Sequence, residues 1–222
     1  MKLLAPNLYQ ISDFLPNAIN MFLIEDSGGD VLVDAGTRWA RRKLLRLLAG
    51  RRLSLIALTH VHPDHQGTAA ALCEQFACPL ACHAADRPAM EGREQMQPRT
   101  PFIRFSTRCF AGPPHAVSRE LREGDEIAGF RVIESPGHTP GHLIFFRESD
   151  RVAIVGDVLN NMNVLTTIPG LHQPPDIFTW NPEENRRSIR KLVALRPELV
   201  CFGHGPPLRD PDKLARFADR LA

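Results

Sequence analysis

The sequence predicts an α/β fold in which two β-sheets lie face to face between outer layers of helix. The elements run in the order β-rich, αβ, β-rich, αβ along 222 residues, which two sheets backed by helices satisfy. The histidine-bearing turns sit at strand ends, where a sheet scaffold holds polar side chains stiffly. No repeat, linker or low-complexity tract divides the chain, so residues 1–222 are expected to form one domain.

Leu8–Ile11, Ile19–Glu25 and Asp30–Asp34 are short strand-like runs, the last two joined by the turn Ser27-Gly28-Gly29-Asp30. The third run ends on the carboxylate of Asp34. Ala40 to Leu48 repeats leucine at helical spacing, with arginines between, and reads as an amphipathic helix with a solvated basic face. Ser54–Thr59 is a strand, Thr68–Phe76 a helix, Pro79–His83 a short strand and Ala84–Arg93 a short helix. Strands resume at Phe130–Glu134, His142–Phe146 and Arg151–Val155. Asn181-Pro182-Glu183-Glu184 is a helix start, with Asn at the cap, Pro at the first position and acids in the first turn; that helix runs to about Leu195. Glu198–Phe202 is the last strand, and Asp210-Pro211-Asp212 starts a terminal helix by the same logic.

Two stretches carry no period. Residues 94–118 mix Phe102, Phe105 and Phe110 with Arg99, Arg104, Arg108 and four prolines, the composition of either a packed loop or a lid. Residues 157–179 contain Asn160, Asn161, Asn163 and His172, which either lie along a cleft or serve the loop's own turns.

Composition is that of an ordinary globular protein, with 43% apolar and 23% charged residues. A net charge of +2 is too small to argue for nucleic acid. The five cysteines lack paired spacing and are expected to be reduced thiols. The apolar run at the N-terminus is too short for a secretory signal and no later run approaches a membrane span, so a cytoplasmic location and no membrane partner are expected.

Thr59-His60-Val61-His62-Pro63-Asp64-His65-Gln66-Gly67 concentrates three imidazoles and a carboxylate within six positions. Residues two apart at a strand end can point the same way, so His60 and His62 are able to grip one ion. Asp64 and His65 follow on the turn and are able to grip a second. Imidazole suits zinc or iron, and a carboxylate adds a harder donor. Further along, His138, Asp157 and His204 each end an apolar run and precede a turn, as Asp34 does.

This ordered set resembles the metallo-β-lactamase superfamily, whose motifs are an early acid, H-x-H-x-D-H, a later His, a later Asp and a final His. The match extends from Asp34 to His204. It implies a four-layer αββα sandwich of two mixed β-sheets with helices on both outer faces, and a single metallo-β-lactamase-like domain over 1–222. By the resemblance His60, His62 and His138 bind a first metal, Asp64, His65 and His204 a second, and Asp157 bridges them, while Asp34 supports the histidine loop without binding metal. The implied cofactors are two divalent metal ions, zinc ahead of iron or manganese. They share a hydroxide that attacks a carbonyl carbon or a phosphorus, and Asp64 assists proton transfer to the leaving group.

Within the superfamily the turns Pro136–His142 and Gly203–Pro207 resemble the stand-alone hydrolases of the glyoxalase II and lactonase-like group, without the extra C-terminal helical domain of glyoxalase II. A small ester, lactone or thioester is the expected substrate. RNA or a nucleotide is the alternative, motivated by the Arg and Phe residues of 99–110. A non-catalytic binding module is disfavoured because all seven ligand positions are filled. Among the other histidines, His142 is expected to support the ligands or the core, His83 to be structural, and His115 and His172 to be ordinary loop residues.

Overall fold

The computed structural model describes residues 1–221. Its first sheet has seven strands in sequence order: β1 (Lys2–Ala5), β2 (Leu8–Asp13), β3 (Ile19–Ile24), β4 (Asp30–Val33), β5 (Leu53–Ala57), β6 (Leu80–His83) and β7 (Arg119–Leu121). Pairing is antiparallel from β1 to β4 and parallel from β4 to β7. The second sheet contains β8 (Glu126–Ile127), β9 (Phe130–Glu134), β10 (Leu143–Arg147) and β11 (Val152–Gly156), all antiparallel. A separate hairpin, β12 (Asn160–Met162) and β13 (Pro169–His172), follows, and β14 (Leu199–Phe202) returns to pair parallel with β11. The helices are α1 (Arg41–Leu47), α2 (Pro63–Gln66), α3 (Ala69–Phe76), α4 (Arg87–Met90), α5 (Pro101–Phe110), α6 (Pro182–Ala194) and α7 (Pro211–Asp219).

The layers follow from the twofold period of the strands. On β3, Phe22 and Ile24 point between the sheets, where they meet Phe130, Phe145 and Ile154, while Met21 and Leu23 point outward to Leu44 of α1 and Leu72 of α3. On β10, Leu143 and Phe145 point inward, and Ile144 and Phe146 outward to Ile189 and Leu192 of α6. Both faces of each central strand are therefore buried, which explains why these strands read as unbroken apolar runs. The outcome is the αββα sandwich of two mixed sheets.

Helix starts follow their sequence signals. Asn181 accepts a hydrogen bond from the Glu184 amide, and Asp210 from that of Lys213. The sequence reading leaves 94–118 without structure, whereas α5 occupies Pro101–Phe110. Thr100 caps it by accepting from the Ile103 amide, and Pro101 takes its first position. Phe102, Phe105 and Cys109, with Ile103 and Phe110, do recur at helical spacing, but the flanking prolines and arginines mask the pattern in the sequence reading. The strands β1, β7 and β8 have at most four residues each and sit at sheet edges, too short for alternation to register. All five cysteines are free thiols, as expected. Among the described residues no helix is long and apolar enough to cross a membrane.

Candidate metal centre

The site collects at one end of both sheets, beyond the carboxyl ends of β4, β5, β11 and β14, where open α/β sheets place their ligands. Asp34 follows β4 with φ 61°, a left-handed conformation that a short polar residue tolerates. His60 and His62 lie past the end of β5 at Ala57, not on the strand itself. His62 is the extended residue that precedes α2, and Asp64 and His65 are carried by α2, with Pro63 at its first position. His138 sits in the turn between β9 and β10, pinned by hydrogen bonds from the Trp180 amide to its carbonyl and from the Asn181 amide to Gly137. Asp157 directly follows β11. His204 follows β14, and the Asn20 side chain donates to the carbonyls of Phe202 and Gly205 on either side of it. Gly203 permits the closest approach: a Cβ there would overlap the Asp157 carboxylate.

All seven expected positions converge. The donor atoms of His60, His62 and His138 lie within 4.8 Å of one another, as do those of Asp64, His65 and His204, and those of His60, His65 and Asp157. Asp157 stands between the first two groups. Its Oδ2 is 3.0 Å from His204 Nε2 and 3.8 Å from His138 Nε2, and its Oδ1 is 3.6 Å from His65 Nε2. Asp64 is 28% exposed at its side chain, with Oδ2 3.3 Å from His204 Nε2.

Hydrogen bonds behind the histidines decide which ring nitrogen keeps its proton. The Thr59 hydroxyl donates to Asp34, so at 3.0 Å it accepts from His60 Nδ1. His65 Nδ1 donates to Asp34 Oδ2 at 2.9 Å, His62 Nε2 to the Gln97 carbonyl at 2.6 Å, and His204 Nδ1 to the Ala18 carbonyl at 2.6 Å. Each bond fixes which nitrogen is turned away and leaves the other facing the cluster, free to bind a metal once any proton on it is displaced. His60 Nε2, His65 Nε2 and Asp157 Oδ1 are buried polar atoms with no hydrogen-bond partner, and His138 turns its Nε2 inward, 2.9 Å from His62 Nδ1. Buried polar atoms are rarely left so, and several gathered at one point are the donor set of a divalent cation.

The two halves differ electrically. Burial lowers His60 and His138 well below the ordinary imidazole range, helped by the imidazoles beside them, and burial lowers His62 as well. For His204 burial also opposes the charge, but Asp157 and Asp64 outweigh it and lift the group to about 10. His65 is raised well above its ordinary value against burial by Asp157, Asp34 and Asp64. Burial would raise both acids, yet His65 and His204 hold Asp64 and Asp157 below the ordinary carboxylate range.

His142 holds the site without joining it. Its Nε2 accepts from the Asp157 amide at 3.0 Å, its Nδ1 meets Ser135 Oγ at 2.8 Å, and burial pushes it down to about 3. His83 bonds the Ala85 amide and Glu134. His115 and His172 lie outside the cluster. Of the three asparagines only Asn160 lines the cavity over the site. Asn161 donates to the Pro206 carbonyl, and Asn163 accepts from the amides of Leu165 and Thr166.

Sequence reading missed Asp86. It is 4% exposed and accepts from the Val61 amide at 3.0 Å, the Thr139 hydroxyl at 2.7 Å and the Gly141 amide at 2.8 Å, tying the His60–His62 loop to the His138 turn. An Asp before Arg-Pro looks like a helix cap and nothing more, so no local signal marks it. Replacing Asp86 with Ala strands two amides and a hydroxyl. The expected loss of stability in urea unfolding is about 2–4 kcal/mol, with Asp86→Asn intermediate.

Above the cluster opens a cavity of about 440 Å³, walled by α5, the β12–β13 hairpin and the loop before α6. Phe102 and Phe178 pack edge to face at 4.6 Å between ring centres on one wall, and Phe14 meets Phe110 at 6.3 Å.

The family model described as Metallo-beta-lactamase superfamily matches residues 15–204. A probable metallo-hydrolase of Bacillus subtilis, YflN, is 30% identical over 97% of this chain and 88% of its own. A hydroxyacylglutathione hydrolase of Fuscovulum blasticum is 34% identical over 82% of this chain and 61% of its own. Among solved structures, TTHA1623 in a di-iron-bound form has a TM-score of 0.74 and 31% identity, covering 94% of this chain and 97% of that one.

Proposed function

This chain belongs to the metallo-β-lactamase superfamily and is a metal-dependent hydrolase, and from that premise we propose that it holds two divalent ions and cleaves a small carboxylic ester, lactone or thioester. One observation carries the reading: the seven side chains form overlapping groups of close donor atoms, and five of them, His62, Asp64, His138, Asp157 and His204, line the floor of a largely apolar cavity. His60, His62 and His138 would hold one ion and Asp64, His65 and His204 the other, with Asp157 between. Imidazole and carboxylate donors without a thiolate suit zinc, iron or manganese, and a di-iron-bound relative makes iron the first metal to test beside zinc. Bound there, such ions supply Lewis acidity and lower the pKa of water toward neutrality.

The chain's own groups do the rest. Asp64 lines the cavity with its side chain partly exposed, so it is placed to assist proton transfer to the leaving group. The aromatic walls exclude water and orient the substrate. Arg99, Arg104 and Arg108 are exposed and absent from the lining, which favours an acyl substrate over a phosphodiester. The test is a panel of esters, lactones and thioesters, with single-stranded RNA beside it, offered to protein reconstituted with zinc, iron or manganese. Acyl cleavage is the expected result. Cleavage of RNA alone would overturn the reading.

Loading must displace protons. His65 and His204 titrate above their unfolded value of 6.5, so their ion pairs stabilise the metal-free fold fully below that value and lose it as pH rises through the folded one, about 10 for His204. Metal affinity is therefore expected to rise with pH across neutrality. Calorimetry in buffers of different ionisation enthalpy should register about two protons released per chain at pH 7.

A further inference from the structure

We infer that the substrate is uncharged and carries an apolar chain of medium length, seated between α5 and the β12–β13 hairpin. The inference rests on the hydrolase reading above and names the class of acyl group. Among the described residues no lysine or arginine lines the cavity; its only charged side chains are Asp64, Asp157 and the histidines of the floor. The walls are Phe102, Ile103, Phe110, Met162, Leu165 and Phe178, so a charged group seated within the cavity would be desolvated with no partner. Three residues extend the same surface outward. Phe14, Phe102 and Leu165 line the cavity yet remain 59%, 43% and 58% exposed, an apolar mouth that a chain longer than the cavity would cover.

Volume sets the length. At about 30 Å³ for each water-sized unit, 440 Å³ holds on the order of fifteen heavy atoms. An octanoyl ester group takes about ten of these, so a chain of about eight carbons fits when a bulky leaving group reaches past the exposed mouth. The hydroxyacylglutathione class of a relative, with its charged thiol half, fits this lining poorly.

The test uses p-nitrophenyl acetate, butyrate, hexanoate and octanoate, the suberic half-ester that puts a carboxylate at the chain end, and the metal-reconstituted protein. The expected kcat/KM rises about fourfold per methylene up to about eight carbons, and the suberic half-ester falls at least tenfold below octanoate on the order expected for an unpaired buried charge. Phe102→Asp and Phe178→Asp should each collapse the octanoyl-to-acetyl ratio while metal content by elemental analysis stays level. A second readout needs neither metal nor turnover: calorimetry of metal-free protein with N-methyloctanamide should show binding that N-methylacetamide and the suberic monoamide lack. A flat chain-length series, or a preference for the charged ester or amide, overturns the inference and leaves the hydrolase reading standing. If no acyl compound is cleaved but the neutral octanamide still binds, the reaction is wrong and the pocket assignment holds.

Discussion

Exchange of Asp157 for asparagine is expected to lower kcat/KM for any cleaved acyl compound by more than about a hundredfold and to cut the metal content of the purified chain from about two ions to one or fewer. The lower bound comes from magnitude: partners that merely orient metal ligands cost about 10–100-fold when removed, and Asp157 lies among the donors themselves. Its carboxylate oxygens stand 3.0 Å from His204, 3.6 Å from His65 and 3.8 Å from His138, so of the two carboxylates it is the one that reaches both histidine groups. The amide keeps the shape but has one weak acceptor in place of two anionic ones. The Asp157 backbone amide still donates to His142, and the Gly203 contact has the same volume, so far-ultraviolet circular dichroism should remain unchanged. Full activity with unaltered metal content would show that Asp157 is no ligand.

The second large effect is expected at Asp34, which stands behind the donor cluster and not within it. Its buried carboxylate accepts from the Thr59 amide at 2.8 Å, from the Thr59 hydroxyl at 2.9 Å and from His65 Nδ1 at 2.9 Å. Asp34→Ala removes one partner of a buried charged network and is expected to destabilise the fold by about 3–5 kcal/mol. Asp34→Asn is the sharper experiment. An asparagine tolerates the same left-handed backbone, and its oxygen can still serve Thr59. Its NH₂ then faces His65 Nδ1 and forces that nitrogen to accept, which moves the imidazole proton to Nε2. That nitrogen belongs to the Asp64–His65–His204 group. Metal affinity should fall about 10–100-fold without loss of a single ligand, measured by competition with a chromophoric chelator. Nitrogen-15 NMR of the His65 ring should report the switched tautomer.

What the sequence made legible follows from how local each signal is. His60, His62, Asp64 and His65 lie within six positions and read as metal donors unaided. His138, Asp157 and His204 came into view because each interrupts an apolar run at a strand end, and the fold brings those ends together. The central strands were legible since burial on both faces makes them continuous apolar runs, and α6 and α7 because their caps are standard. Asp86 was not legible: its partners lie 25 and more positions away, and only the folded chain joins them. Helix α5 was obscured for a different reason. Its apolar residues recur at helical spacing, but they stand among prolines and arginines, so the segment reads as a loop although Ile103 joins the core and Phe102 and Phe110 face the cavity. The arginines that suggested nucleic acid there point away from the cavity lining.

The most direct measurement is metal stoichiometry. Protein stripped with a chelator, dialysed and titrated with zinc or ferrous ion should bind about two ions per chain, with acyl hydrolysis appearing as the sites fill and disappearing when the chelator returns. Fewer than one ion bound per chain, with all seven side chains intact and the fold verified, would contradict the dinuclear hydrolase.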